Sequence, residues 1–153
     1  MRDTVRIVAA EQVDDEIVAA LAQLLPQLAP QRPLPTRAQL EQVVHADCTT
    51  LLLARHPDSG AILGTLTLVV YRMPTGVRAY IEDVVVDGAA RGLGAGEALV
   101  RAALERAAAL GAEIVDLTSH ASREAANRLY VKLGFVPRDT NAYRYVLAQR
   151  RDE

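Results

Sequence analysis

The spacing of apolar residues changes period several times along this chain, and each change predicts an element. Thr4 to Ala9 alternates crudely through Val5, Ile7 and Val8, which predicts a short first strand. From Asp14 the period becomes helical, with Ile17, Leu21, Leu24, Leu25 and Leu28 recurring three and four apart behind the acidic turn Asp14-Asp15-Glu16. Pro26 interrupts this run, so the helix is expected to end near Leu25. Pro30, Pro33 and Pro35 then mark a loop, and Thr36 reads as the N-cap of a second helix through Val44, ending near His45 and Ala46.

The middle of the chain reads as strands. Thr49 to Arg55, Ala61 to Tyr71 and Val77 to Val86 form three runs separated by His56-Pro57-Asp58-Ser59-Gly60 and by Met73-Pro74-Thr75-Gly76, the pattern of an antiparallel meander. A long helix is expected from Gly92 or Leu93 to Leu110, with Leu99, Ala103 and Leu110 on one stripe and Gly111 at its C′ position. Glu113 to Thr118 predicts a fifth strand. Ser122 reads as the cap of a helix from Arg123 to Leu133, stopped by Gly134. Phe135-Val136-Pro137 then begins a return strand, and Ala142 to Leu147 is expected to close the sheet. The order is β-α-α-β-β-β-α-β-α-β-β, a mixed α/β (α+β) fold of about seven strands and four helices. The third meander strand and the strand after the long helix make a βαβ unit and should be parallel neighbours.

Composition narrows the class without naming a function. The 153 residues suit one domain spanning 1–153, with an ordered core of about 4–148. A net charge of −2 with scattered arginines, the Arg150-Arg151 pair apart, gives no nucleic-acid footprint. No apolar run approaches the ~18 residues of a membrane span, and Met1 to Ala10 is too polar and short for a signal peptide. Cys48 is the single cysteine, so neither an internal disulfide nor a multi-cysteine zinc site is available. The three histidines His45, His56 and His120 are too dispersed for a metal site. A cytoplasmic, metal-free single domain is the expectation.

Chemistry enters at Arg91-Gly92-Leu93-Gly94-Ala95-Gly96, which follows the apolar strand end Val84-Val85-Val86 and Asp87-Gly88. Glycines at a helix start cost roughly 1 kcal/mol each relative to alanine. Without Cβ atoms, unpaired N–H groups at the positive end of a helix can surround a phosphate or pyrophosphate, and Arg91 adds a forked donor. Close packing of the helix on the sheet is the other reading of the same glycines. The spacing Gly-x-Gly-x-Gly departs from the dinucleotide fingerprint, since Glu97 stands where a glycine belongs, and no Gly-Lys-Ser/Thr triplet marks a P-loop.

Arg91, Gly94 and Gly96, behind Ile81-Glu82-Asp83-Val84-Val85-Val86, resemble the acyl-CoA-binding motif of the GCN5-related N-acetyltransferases, Arg/Gln-x-x-Gly-x-Gly/Ala. Ala126-Asn127-Arg128-Leu129-Tyr130-Val131-Lys132-Leu133-Gly134-Phe135 is similar to the family's second signature, and the resemblance covers nearly the whole chain. It implies acetyl-CoA as the acyl-donor co-substrate, bound at Arg91, Gly92, Leu93, Gly94, Ala95 and Gly96, by the backbone of Val84, Val85 and Val86, and by Asn127 and Tyr130. It implies that the strand before the loop splays from its parallel neighbour, so that the pantetheine arm pairs with it and an N–H near Val85 meets the thioester carbonyl. Tyr130 is then the candidate general acid, since a phenol remains protonated at neutral pH. Asn127 lies three residues earlier, on the same helix face. Glu82 is the favoured base for the incoming ammonium, with Asp83 and His120 as alternatives. Many members carry asparagine near the position of Arg123, so this chain departs from the pattern there.

The resemblance further implies transfer to a primary amine of a small molecule or peptide, by direct attack on the thioester. The acceptor region maps onto Leu25 to Arg37, Tyr71 to Arg78 and Pro137 to Tyr143. Its arginines favour an acceptor bearing a carboxylate over a polyamine. No nucleic acid or membrane is expected as a partner. Homodimerisation through the last strands is common in the family, and the apolar content here does not establish it. A CoA-binding sensor without turnover is the alternative function on the same fold.

Overall fold

The computed structural model describes residues 4–147, divided between two compact units, Met1–His120 and Ala121–Glu153. The first unit contains β1 (Arg6–Ala9), α1 (Asp15–Leu28), α2 (Arg37–His45), β2 (Thr49–Arg55), β3 (Ile62–Met73), β4 (Gly76–Val86), a 3-10 turn (Gly88–Ala90), α3 (Ala95–Ala109) and β5 (Ile114–Asp116). The second contains α4 (Glu124–Lys132). Among the described residues no helix is long and apolar enough to cross a membrane.

The five strands form one mixed sheet in the order β1-β2-β3-β4-β5, antiparallel except for the β4–β5 pair. The expected meander and the parallel βαβ unit are both present. Leu51, Leu52, Leu53 and Ala54 are all buried, which requires helices on both faces. On one face Leu51 and Leu53 join Val13, Ile17, Leu21 and Leu40 from α1, α2 and the segment before α1 in a single core cluster. On the other face α3 packs its buried Leu99, Val100, Ala103 and Ala107 against the sheet. The Arg106 guanidinium donates to Thr50 Oγ1 at 2.9 Å from that side.

Local sequence chemistry explains most boundaries. Asp14 caps α1 by accepting from Ile17 N–H at 2.9 Å, and Thr36 with Gln39 forms a reciprocal capping box on α2. Gly111 (φ +89) ends α3 with paired bonds, Gly111 N–H to Ala108 C=O at 3.0 Å and Ala112 N–H to Ala107 C=O at 2.9 Å. His56, in the β2–β3 turn, accepts from the Asp58 and Ser59 amides at its Nδ1 (3.1 and 3.3 Å).

Several expectations fail for identifiable reasons. Helix α1 does not stop near Leu25 but runs through Pro26 to Leu28. Pro26 is solvent-exposed, so the carbonyl it leaves unpaired can bind water, while Leu24 and Leu21 hold the inner face at 1% and 2% exposure. The long helix starts at Ala95 rather than Gly92 or Leu93, because Gly92 and Gly94 adopt left-handed φ values of +88° and +75° that no right-handed helix accommodates. The N-cap of α4 is Arg123 rather than Ser122. Strand β1 begins at Arg6, not Thr4, and β5 spans only Ile114–Asp116, shorter than Glu113 to Thr118.

The sheet has five strands rather than about seven. Residues 135–147 form no strand, and Val136, Tyr143, Tyr145 and Leu147 are exposed. Alternation of Tyr143, Tyr145 and Leu147 describes the two faces of an extended chain but does not supply a ladder partner, and Pro137 has no N–H to give one. Residues 1–3 and 148–153, including the Arg150-Arg151 pair, lie outside the described residues.

Gly64 is the tightest point of the sheet. A Cβ there would stand 2.9 Å from the Val85 carbonyl oxygen and 3.3 Å from Leu99 Cδ1, so β4 and α3 both approach the bare backbone of β3. Gly64→Ala is expected to destabilise the fold by about 1–3 kcal/mol through overpacking. Urea denaturation of the two proteins measures this as a lower midpoint at unchanged slope.

Candidate active site

Strand β4 is the spine of the candidate site. It pairs with β3 along its length, but the register shifts between Thr65↔Val85 and Thr67↔Glu82, so Leu66 of β3 faces two residues, Asp83 and Val84. This is a β-bulge. Asp83 carries φ +50°, the only left-handed non-glycine residue among those described. Aspartate tolerates that conformation better than most side chains, so the bulge falls on a suitable residue. The other edge of β4 is paired with β5 only at Arg78↔Ile114, Ala79↔Val115 and Tyr80↔Asp116. From Ile81 to Val86 no strand pairs that side among the described residues, so the pairing with β5 ends before the bulge.

Beyond Val86 the chain is pinned before it turns. Asp87 N–H donates to Leu63 C=O at 2.8 Å, and Asp87 Oδ1 accepts from Ala89 N–H at 3.0 Å to cap the 3-10 turn. Gly88 N–H donates to Gln27 Oε1 at 3.0 Å, and Gln27 Nε2 donates to the Gln23 carbonyl at 3.1 Å. Gln27 therefore ties the last turn of α1 to the start of the glycine loop, a role with no signature in the sequence.

The loop itself is open. Arg91, Gly92, Leu93 and Gly94 are exposed, and a Cβ built on Gly92 or Gly94 would meet nothing within 4 Å. Close packing on the sheet is therefore not why these two glycines are present; their positive φ angles are. Gly94 is the N-cap of α3 and provides no side-chain cap, and the first intrahelical bond is Ala98 N–H to Gly94 C=O at 3.0 Å. Helix geometry leaves the amides of Ala95 and Gly96 without intrahelical acceptors. Together with the exposed Arg91 they are suited to an anionic phosphate.

A cavity of ≈ 320 Å³ lies beside the bulge in the same unit, lined by Leu25, Leu28, Arg32, Leu34 and Asp83 among others. Part of the expected acceptor region, Leu25 to Arg37, contributes most of this lining. Asp83 lines it and Glu82 does not, although both are exposed. The bulge explains the difference from strand alternation alone, because an extra residue changes which side chain turns towards the helices. Within the same unit, Tyr71 to Arg78 does not line the cavity. His120 ends the first unit. Next to it, Ser119 has a buried hydroxyl without a hydrogen-bond partner among the described residues, a feature with no signature in the residue types.

In the second unit α4 ends in a complete Schellman motif. Gly134 (φ +100) donates to Val131 C=O at 3.1 Å, and Phe135 N–H donates to Tyr130 C=O at 3.0 Å. The motif brings the Phe135 ring edge-on to Tyr130, with centroids 5.7 Å apart and planes at 65°. The sequence signature Tyr130…Gly134-Phe135 is thus a helix stop that also holds an aromatic pair. Tyr130 is 7% exposed, and burial pushes its phenol above the usual tyrosine range against an opposing pull from Arg123. Asn127, one turn earlier, is half-buried.

Comparison with known proteins bears on what such a site does. The family model described as Acetyltransferase (GNAT) family matches residues 14–135. No curated protein sequence matches the chain. Among solved structures, a protein from Agrobacterium tumefaciens str. C58 is 26% identical with a TM-score of 0.80, covering 92% of this chain and 99% of its own. An aminoglycoside acetyltransferase from an uncultured soil metagenomic sample, in complex with sisomicin, is 18% identical with a TM-score of 0.80, covering 95% of this chain and 97% of its own. Glucosamine-6-phosphate N-acetyltransferase from Arabidopsis thaliana is 21% identical with a TM-score of 0.72, covering 93% and 98%. At these identities the last two show a shared fold. The match over residues 14–135 does more, and the chain belongs to the GNAT acetyltransferase family.

Proposed function

We propose that this protein is an acetyl-CoA-dependent N-acetyltransferase that acylates a primary amine of a small molecule or peptide. The observation that carries this reading is the parting of β4 from β5 beyond Tyr80, next to a glycine loop whose Gly92 and Gly94 are left-handed and open. Acetyl-CoA, when bound, supplies an acyl group activated as a thioester. Arg91 and the main chain from Gly92 to Gly96 would hold its phosphates, and the edge of Val84, Val85 and Val86 would receive the pantetheine amides. Asn127 would add a side-chain hydrogen bond.

The chain's own groups supply the proton traffic. Only a neutral amine attacks a carbonyl, so a carboxylate must take a proton from the incoming ammonium; Glu82, directly or through water, is assigned this role. Tyr130 is assigned the opposite role, giving its phenolic proton to the departing sulfur. Burial supports this by keeping the phenol protonated throughout the neutral range. A main-chain N–H near Val85 would polarise the thioester carbonyl.

Two experiments test the reading. Tyr130→Phe is expected to lower kcat about 10²-fold or more while leaving the affinity for CoA close to that of the parent. Because its pKa is raised from 10.0, the parent's kcat should show no Tyr130-dependent fall until the pH exceeds that value, and the fall should be missing in Tyr130→Phe. Thiol release followed across pH measures both effects. An undiminished kcat in the variant would remove Tyr130 from the mechanism. CoA is also expected to raise the unfolding temperature, by about 2.7 kcal/mol of stability at one hundred times its Kd. Arg91→Ala should weaken that stabilisation. Tight CoA binding with no transfer to any of a broad amine panel would instead identify a non-catalytic CoA-binding module.

A further inference from the structure

The cavity beside the β4 bulge has a specific chemistry. Its walls are apolar, built from Leu25, Leu28, Leu34 and neighbouring prolines, and Leu34 remains 50% exposed with nothing covering it. Two charged residues, Asp83 and Arg32, stand in that lining. Among the described residues no ion pair joins them to each other or to another side chain. One cation and one anion without an ion-pair partner in a small, mainly apolar cavity are complementary to a ligand that carries both charges. The ≈ 320 Å³ volume sits at the low end of small-molecule sites, which run from about 300 to 1,000 Å³.

Resting on the acetyltransferase reading above, we infer that this cavity receives the acceptor, and that the acceptor is a small primary amine that also carries an anionic group. Asp83 holds the ammonium and Arg32 the anion, a carboxylate or a phosphate, each through charge-assisted hydrogen bonds. Asp83, at the bulge, lines the cavity and Glu82 does not, so proton transfer from the bound ammonium to Glu82 runs through water. Asp83 is thus a specificity-determining residue that strand alternation does not single out. A polyamine is disfavoured, since its second cation would face Arg32.

The test compares four acceptors under saturating acetyl-CoA: L-leucine, leucinamide, O-phosphoethanolamine and putrescine. Leucine or phosphoethanolamine is expected to exceed leucinamide and putrescine in kcat/KM by ~10-fold or more, and the pair identifies the anion. Arg32→Ala, a change in an exposed loop, should collapse the leucine-to-leucinamide ratio by a similar factor. Asp83→Asn keeps a side chain that tolerates positive φ and should raise KM for every amine, with CoA affinity retained. Calorimetric titration of leucine and of phosphoethanolamine into the CoA-saturated protein reads the cavity without turnover. Binding of either that Arg32→Ala and Asp83→Asn weaken, with no transfer, would uphold the inference and reject the acetyltransferase reading. Equal use of leucine and leucinamide, a preference for putrescine, ratios unmoved by Arg32→Ala, or neither binding nor turnover of the anionic amines would overturn the inference.

Discussion

One residue of β3 facing two of β4 organises the part of this molecule where chemistry is possible. Opposite Leu66 the ladder carries Asp83 and Val84, and above that point β4 no longer pairs with β5. On that same side of the bulge Gly64 lets Val85 and Leu99 come so close that a methyl group would not fit. The bulge sits in β4 and the glycine lets α3 press against the same stretch of sheet, so the N-terminus of α3 is delivered beside the part of β4 that β5 does not pair with. Moving either feature by one residue would separate the first amides of α3 from that part of β4.

Glycine serves different ends along the chain, and the geometry separates them. At Gly64 the requirement is space. At Gly92 and Gly94 space is plentiful and the requirement is a left-handed backbone, which lets the chain reverse and enter α3 without a side chain over its first amides. Gly134 closes α4 in a Schellman motif, and the bond geometry of that motif sets Phe135 against Tyr130. The run Tyr-Val-Lys-Leu-Gly-Phe is thereby accounted for by helix termination as well as by any part Tyr130 takes in proton transfer.

The elements with strong local signals were legible: the N-cap at Thr36, the β2 run, the stop at Gly111 and the glycine loop were all readable from residue types alone. Other features were not, and the reasons are particular. Propensity alone makes Pro26 a stop, yet burial of Leu21 and Leu24 outweighs one missing hydrogen bond. The tail from Phe135 to Leu147 has the alternation of strands, but alternation gives the faces of an element and says nothing of a partner. Gln27 looked like any surface glutamine, and only folding brings its amide to Gly88 across 61 residues of sequence.

The residue types settled by themselves that this chain makes a mixed α/β fold and that a glycine-rich turn precedes a helix after a meander. These are local properties, dictated by φ preferences, caps and hydrophobic period. Which of two adjacent carboxylates, Glu82 or Asp83, lines a cavity was decided only in three dimensions. Strand alternation assigns them to opposite faces without saying which face holds a cavity, and a bulge then adds a residue to one strand and changes the count. Bulges arise from the register between two strands, and register belongs to the pair rather than to either sequence.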